Sequence, residues 1–170
     1  MSLMKEPRID KVCLNIGAGE SGEPLVKAMK VLKDLTGKNP IKTYSKATVP
    51  GFGVRKDQEI GCKVTLRKKD AEEALRKTLK TIGNQLNPKC FDKQGNFSFG
   101  IPEHIEIEGM KYDPKIGIFG FDVNVSLIRP GYRVSKRKIR KSKIGKEQIL
   151  TAEDAMEFVK TKFGVTIGGD

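Results

Sequence analysis

The chain has no tryptophan, a single histidine (His104), and three cysteines, Cys13, Cys62 and Cys90, that form no Cys-x-x-Cys pair. One histidine with no cysteine near it argues against zinc. Three separated thiols read as small buried hydrophobes in a reducing cytoplasm, not as a disulfide framework. No apolar run approaches the roughly 20 residues that span a bilayer. The opening "MSLMKEPRID" lacks the apolar stretch and cleavage site of a secretory leader. No serine sits in a nucleophile elbow, and no carboxylate pair recurs at metal-ligand spacing. His104 alternates with acids and reads as a surface or structural residue, not a base. These scarcities turn the reading away from catalysis and membranes, toward a cytoplasmic binding protein.

Positive charge, in contrast, is abundant. Thirty-three Lys and Arg against 21 Asp and Glu give +12 and a pI near 9.6, a balance that favours a polyanionic partner. Its distribution is uneven. "RPGYRVSKRKIRKSKIGK", residues 129 to 146, holds nine basic residues and no acid, while residues 38 to 68 hold eight basic and two acidic ones. Pro130, Gly131, Tyr132 and Val134 within the first run suit an ordered or partner-ordered arm better than a solvated tail.

Periodicity separates the elements. Residues 8–16 alternate Val12, Leu14 and Ile16 against Lys11, Cys13 and Asn15, a strand with one buried face. Pro24 opens a helix carrying Leu25, Ala28, Met29, Leu32 and Leu35 on one face, with Gly37 as its C-terminal cap. A short strand at 41–45 precedes a long basic loop at 46–58. The strand 60–67 sets Cys62, Val64 and Leu66 against Lys63, Thr65 and Arg67. A second helix is expected from Asp70, with Glu73 completing a capping box, to about Leu86. Residues 104–109 alternate like a strand, and 117–127 form the longest one. A last helix opens at Thr151, with Asp154 in the capping position, and stops at Gly164. No internal repeat or dividing linker is visible, so residues 1–170 read as a single domain.

Strands separated by helices, several with a strongly polar face, imply an α+β fold. It has two layers: a largely antiparallel sheet with helices packed on one face and the other face open. Asn15, Lys63, Thr65, Arg67, Asn124 and Ser126 decorate that open face. Donors and cations dominate the set, the chemistry that meets phosphates, ribose hydroxyls and base edges.

One stretch imitates an enzyme. "GAGESG", residues 17 to 22, matches the dinucleotide-binding Gly-x-Gly-x-x-Gly between a strand and a helix. Against it, Glu20 would set a carboxylate beside the pyrophosphate, and Pro24 begins the helix after the third glycine. About 20 residues on, where an acid should hold the ribose, the chain reads "NPIKTYSK". A glycine-rich turn is the better reading.

"PRIDKVCLNIGAGE" (7–20), "GKNPIKTYSKATVPGFGVRKDQEIGCKVTLR" (37–67) and "FDKQGNFSFGIPEHIEIEGMKYDP" (91–114) resemble consecutive signature blocks of the ribosomal protein L5 family, across nearly the whole chain. The short N-terminus and the basic extension resemble the archaeal and eukaryotic branch. The resemblance implies a protein without catalytic residues, metal or cofactor, which binds 5S rRNA and attaches it to 23S rRNA in the central protuberance, beside neighbouring large-subunit proteins. It implies 5S rRNA contacts at Asn15, Gly17, Lys38, Thr43, Lys63, Thr65 and Arg67. A loop carrying Lys46, Phe52, Arg55 and Lys56 would reach P-site tRNA. Arm residues Arg129, Tyr132, Arg133, Lys136, Arg137, Arg140 and Lys141 would meet 23S rRNA. Two alternatives stay open: a free-standing nucleic-acid-binding translation factor, and a nucleotide-dependent enzyme built on residues 17 to 22.

Overall fold

The structure, a computed structural model, describes residues 4–168. Five strands form one antiparallel sheet in the order β2-β3-β1-β6-β5: β1 (Arg8–Gly17), β2 (Ile41–Tyr44), β3 (Glu59–Leu66), β5 (Phe97–Ile101) and β6 (Phe121–Ile128). β1 lies at the centre, and from Val12 to Ile16 it alternates buried with partly exposed residues. Val12, Leu14 and Ile16 are buried, and they pair across the sheet with Leu66, Val64 and Cys62 on one side, Val12 and Leu14 also with Val125 and Val123 on the other. Paired residues share a face, so the inward sets of three strands fuse into one apolar layer.

Two helices cover that layer. α1 (Glu23–Thr36) packs beneath β3 and α2 (Lys68–Thr81) beneath β1. α1 buries Leu25, Ala28, Val31 and Leu32, the stripe that its sequence spacing prescribes, and ends at Gly37, whose φ of 67° suits glycine. α4 (Ala152–Phe163) carries the capping box expected of Thr151 and Asp154, and stops at Gly164 with φ 66°. A short arm helix, α3 (Arg133–Lys136), lies between.

Three expectations about local structure fail. α2 begins at Lys68 and ends at Thr81, with Arg67 and not Asp70 at its N-cap. Asp70 is drawn instead to Lys38. Gly83 and Asn84 then take φ of 67° and 54°, so the chain turns left-handed and Leu86 enters a separate two-residue strand, β4 (Gln85–Leu86). β4 pairs in parallel with β7 (Thr166–Ile167). Residues 104–109 are not a strand: His104–Glu106 form a 3-10 turn with His104 only 2% exposed. Its Nδ1 accepts the Phe119 N–H at 3.2 Å, and its own N–H donates to the Phe119 carbonyl at 3.0 Å. The histidine thus pins residues 104 and 119 together, and the strand expected from Gly117 starts only at Phe121; with eight residues it is shorter than β1, with ten. Finally, only Cys62 among the thiols is buried, and burial pushes it up to about 11. Cys13 and Cys90 are half-exposed.

Candidate nucleic-acid interface

Among the described residues no helix covers the second face of the sheet, and the residues of that face follow from the same registers. One row across it reads Ile41, Lys63, Asn15, Asp122 and Gly100; the next reads Thr65, Cys13, Asn124 and Ser98. At the end of β1 and β3, Thr43, Gly61 and Gly17 make a third row. A Cβ on Gly61 would sit 2.6 Å from the Ile16 carbonyl oxygen and 2.9 Å from the Thr43 hydroxyl, so the rows close up only with glycine there. The surface is therefore low, hydroxyl- and amide-rich, and fitted with cations. The side chains of Lys63 and Asn15 have no hydrogen-bond or ion-pair partner among the described residues.

A β-bulge in β1 modifies one corner. The register slips between Ile9 and Lys11, so the extra residue, Asp10, leaves the inward series. Its carboxylate, mostly covered, meets Arg67 at 3.3 Å and Lys136 at 2.9 Å. Arg67 and the arm are thereby tied to one acid. Asn15, Gly17, Thr43, Lys63, Thr65 and Arg67 come together on or at the end of this face. Lys38 does not: its pairing with Asp70 in the first turn of α2 places it with the helical layer.

The loop 45–58 is more regular than its composition suggests. The Ser45 and Asp57 amides bond to the carbonyls of Gln58 and Ser45, at 2.9 and 3.0 Å, and Val49 bridges Val54. Side chains add to this ladder. The Ser45 hydroxyl donates to the Ala47 carbonyl at 2.6 Å, and the Lys56 amide donates to the Thr48 hydroxyl at 3.1 Å. Pro50–Phe52 make a 3-10 turn closed by Gly53 at φ 65°, leaving Phe52 84% exposed at the tip. Lys46, Arg55 and Lys56 are exposed and form no side-chain ion pair among the described residues. Phe52 does not anchor the loop to its own protein. An aromatic held in solvent beside three unpaired cations offers a stacking and charge surface.

The arm behaves differently. Arg129, expected among its outward cations, is 9% exposed. Its guanidinium meets Asp154 at 2.9 Å and donates to the carbonyls of Glu147 and Ile149, both at 3.2 Å. Its Nε is buried without a hydrogen-bond partner among the described residues. Burial pushes the Asp154 carboxyl upward, but the Thr151 amide and hydroxyl and the Arg129 charge outweigh it and hold it below its ordinary value. Tyr132 accepts the Leu150 amide at 3.0 Å through its hydroxyl. Arg129 and Tyr132 are thus internal fastenings. Arg133, Lys136, Arg137, Arg140 and Lys141 are exposed, as are Lys138, Lys143 and Lys146 of the same arm, and Lys136 also holds Asp10.

In the glycine loop at 17–22, the Ala18 and Gly19 amides both donate to the Ile60 carbonyl at 3.0 Å, so these two donors are turned onto β3.

Comparison with known proteins accords with this frame. Residues 2–55 match the family model of ribosomal protein L5, and residues 59–161 match the model of the same family's C-terminal part. The large ribosomal subunit protein uL5 of Methanosphaera stadtmanae is 48% identical over 167 residues, covering 98% of this chain and 99% of that protein. The protein of the same name from Sulfurisphaera tokodaii is 51% identical over 165 residues, covering 96% and 93%. That from Methanococcus maripaludis is 49% identical, covering 96% and 92%. The two family matches meet in the loop between β2 and β3, and their strands interleave in one sheet, so fold and sequence agree that this chain belongs to the ribosomal protein L5 family.

Proposed function

We propose that the chain is a structural, non-catalytic constituent of the large subunit of the cytoplasmic ribosome, which binds 5S rRNA through the open sheet face and attaches it to 23S rRNA in the central protuberance. Neighbouring large-subunit proteins and both rRNAs are its partners; no cofactor or metal enters. The observation that carries this reading is the open face itself, where Lys63, Asn15 and Thr65 stand exposed or half-exposed on small, polar rows with no helix over them. Structured RNA is recognised by shape, backbone charge and 2′-hydroxyls, and this surface supplies cations, hydroxyls and amides at strand spacing. The exposed arm cations Arg133, Arg137, Arg140 and Lys141 take 23S rRNA. The loop carrying Lys46, Phe52, Arg55 and Lys56 reaches toward P-site tRNA.

The test is binding of the full chain to isolated 5S rRNA across a salt series. Affinity should fall steeply, each phosphate contact contributing a slope of roughly 0.7 to 0.9 in log K against log salt. Binding that is absent, or flat with salt, would sink this reading.

A further inference from the structure

The open face is not level across its width. On its β5 side, the turn at 90–96 rises beside the sheet, held by the Asp92 amide on the Asn96 carbonyl at 2.8 Å. Between this turn and β1 lies a groove of about 450 Å³, bordered by Lys11, Cys13, Cys90, Asp92, Ser98 and Asn124. Asn96 and Ser126 line its end, and they also line a second concavity of about 490 Å³ whose far wall is the arm, through Tyr132, Lys136 and Lys143. Asn96 and Ser126, hydrogen-bonded to each other at 3.1 Å, border both, so the two lie end to end as a trough crossed by that pair, running from the middle of the sheet to the arm.

Its charges are sorted. The Asp92 carboxylate is turned into its own loop, accepting from the Gln94 and Asn96 amides, each at 2.8 Å, and from the Asn96 side chain at 2.9 Å. Asp10 beside the arm is covered by Arg67 and Lys136. The side chains of Lys11, Lys143, Asn124 and Ser98 have no hydrogen-bond or ion-pair partner among the described residues. Asp92 and Asp10 are occupied while Lys11 and Lys143 are free, and Asp122, unpaired among the described residues, stands in the neighbouring row, so it is the Lys11 and arm side of the trough that suits an anion. A free amide and hydroxyl lie at its other end, where a base edge would find both a donor and acceptors. A double helix is too wide to enter; a single unstacked residue is not.

We propose that this trough receives an unpaired nucleotide of the bound 5S rRNA, its base edge against Asn124 and Ser98 and its backbone phosphate toward Lys11 and the arm cations. The proposal rests on the reading of the open face as the 5S rRNA surface. It adds to that surface a place where base identity is sensed.

The test uses the full chain and isolated 5S rRNA. Ser98 is exposed on an edge strand, so Ser98→Phe fills the groove from outside the core. The variant should bind about tenfold more weakly, the equivalent of one or two hydrogen bonds, with an unchanged salt slope. Base-specific chemical probing should show an unpaired nucleotide protected by the wild type and reactive again with the variant. Wild-type affinity and an unchanged protection pattern in Ser98→Phe would overturn the trough while leaving 5S rRNA binding intact. A wild type that fails to bind 5S rRNA would instead overturn the reading beneath it. The native thiols give a second measurement that needs no substitution. 5S rRNA should slow alkylation of Cys13 and Cys90 by iodoacetamide at least tenfold, with buried Cys62 silent in both states. Unchanged rates on chain shown to be RNA-bound would also overturn the proposal.

Discussion

The arm at 129–146 and the loop at 45–58 look alike in sequence, each a Gly- and Pro-bearing segment rich in cations, yet the fold uses them in opposite ways. The arm is fastened inward at its root: Arg129 is spent on Asp154 and two carbonyls, Tyr132 on the Leu150 amide, and Lys136 on Asp10. The loop is fastened only to itself, by its own ladder, and shows every cation and its one aromatic to solvent. Charge alone therefore does not mark a binding residue. A buried partner marks the cations that hold the protein, Arg129 at Asp154 and Lys136 at the mostly covered Asp10, because a desolvated charge must be paired where it stands.

The sharpest way to break this contrast is at the arm's root. Arg129→Ala leaves a half-covered Asp154 and two carbonyls without their donor, and should cost about 2–4 kcal/mol of stability, the scale of a disrupted, largely buried ion pair. Arg137→Ala, on the exposed part of the same arm, should cost within about 0.5 kcal/mol of nothing. Urea unfolding of both variants checks this; equal losses would erase the distinction between root and arm.

Gly61→Ala is next in size. The added Cβ would meet the Ile16 carbonyl, backbone near the end of the central strand that must then shift, so a loss of about 1–3 kcal/mol is expected. The lowered midpoint should be shared by sheet and helix signals in thermal unfolding, because residues 1–170 are proposed to fold as one unit.

Acid should loosen the same root. Asp154 titrates below its ordinary value in the folded chain, so the stability that it contributes is intact at and above the ordinary carboxylate range. That contribution is lost as pH falls below the range and through the folded value. Asp154→Asn should flatten this portion of the stability–pH curve, as read by denaturant midpoints between pH 5 and about 2.

How much of this was legible beforehand depended on distance along the chain. β3 and β6 announce themselves because alternation is local, buried residues from Cys62 to Leu66 and from Phe121 to Leu127 being separated by exposed or partly exposed ones; the α4 capping box lies within four residues. "HIEIE" alternates equally well, but no strand lies in position to pair with it, and the cross-link between His104 and Phe119 is invisible to a local pattern. Asp70 and Glu73 have the spacing of a capping box, yet Asp70 is claimed by Lys38, 32 residues away. The open-face residues could be read from parity. Lys38 and Arg129 could not, since nothing beside them in sequence names their partners. The trough arises where the 90–96 turn meets β1 and β6, and no single segment encodes it.

The smallest expected effect on the protein itself belongs to the loop. Replacing residues 47–56 by a Gly-Ser link removes no core residue and should change stability by less than about 0.5 kcal/mol. Subunit incorporation should persist while P-site tRNA occupancy on purified ribosomes falls. Failed incorporation would make the loop part of the rRNA anchor.

The division of labour between face and loop comes down to paired salt titrations of 5S rRNA binding by the wild type, the loop-shortened chain and Lys63→Ala/Arg67→Ala. The double variant should bind more weakly, with its slope in log K against log salt reduced by roughly 1.4 to 1.8, two phosphate contacts' worth, while the loop-shortened chain follows the wild type. A double variant with wild-type affinity and slope would contradict the account, for the open face would then not be the surface on which 5S rRNA lies.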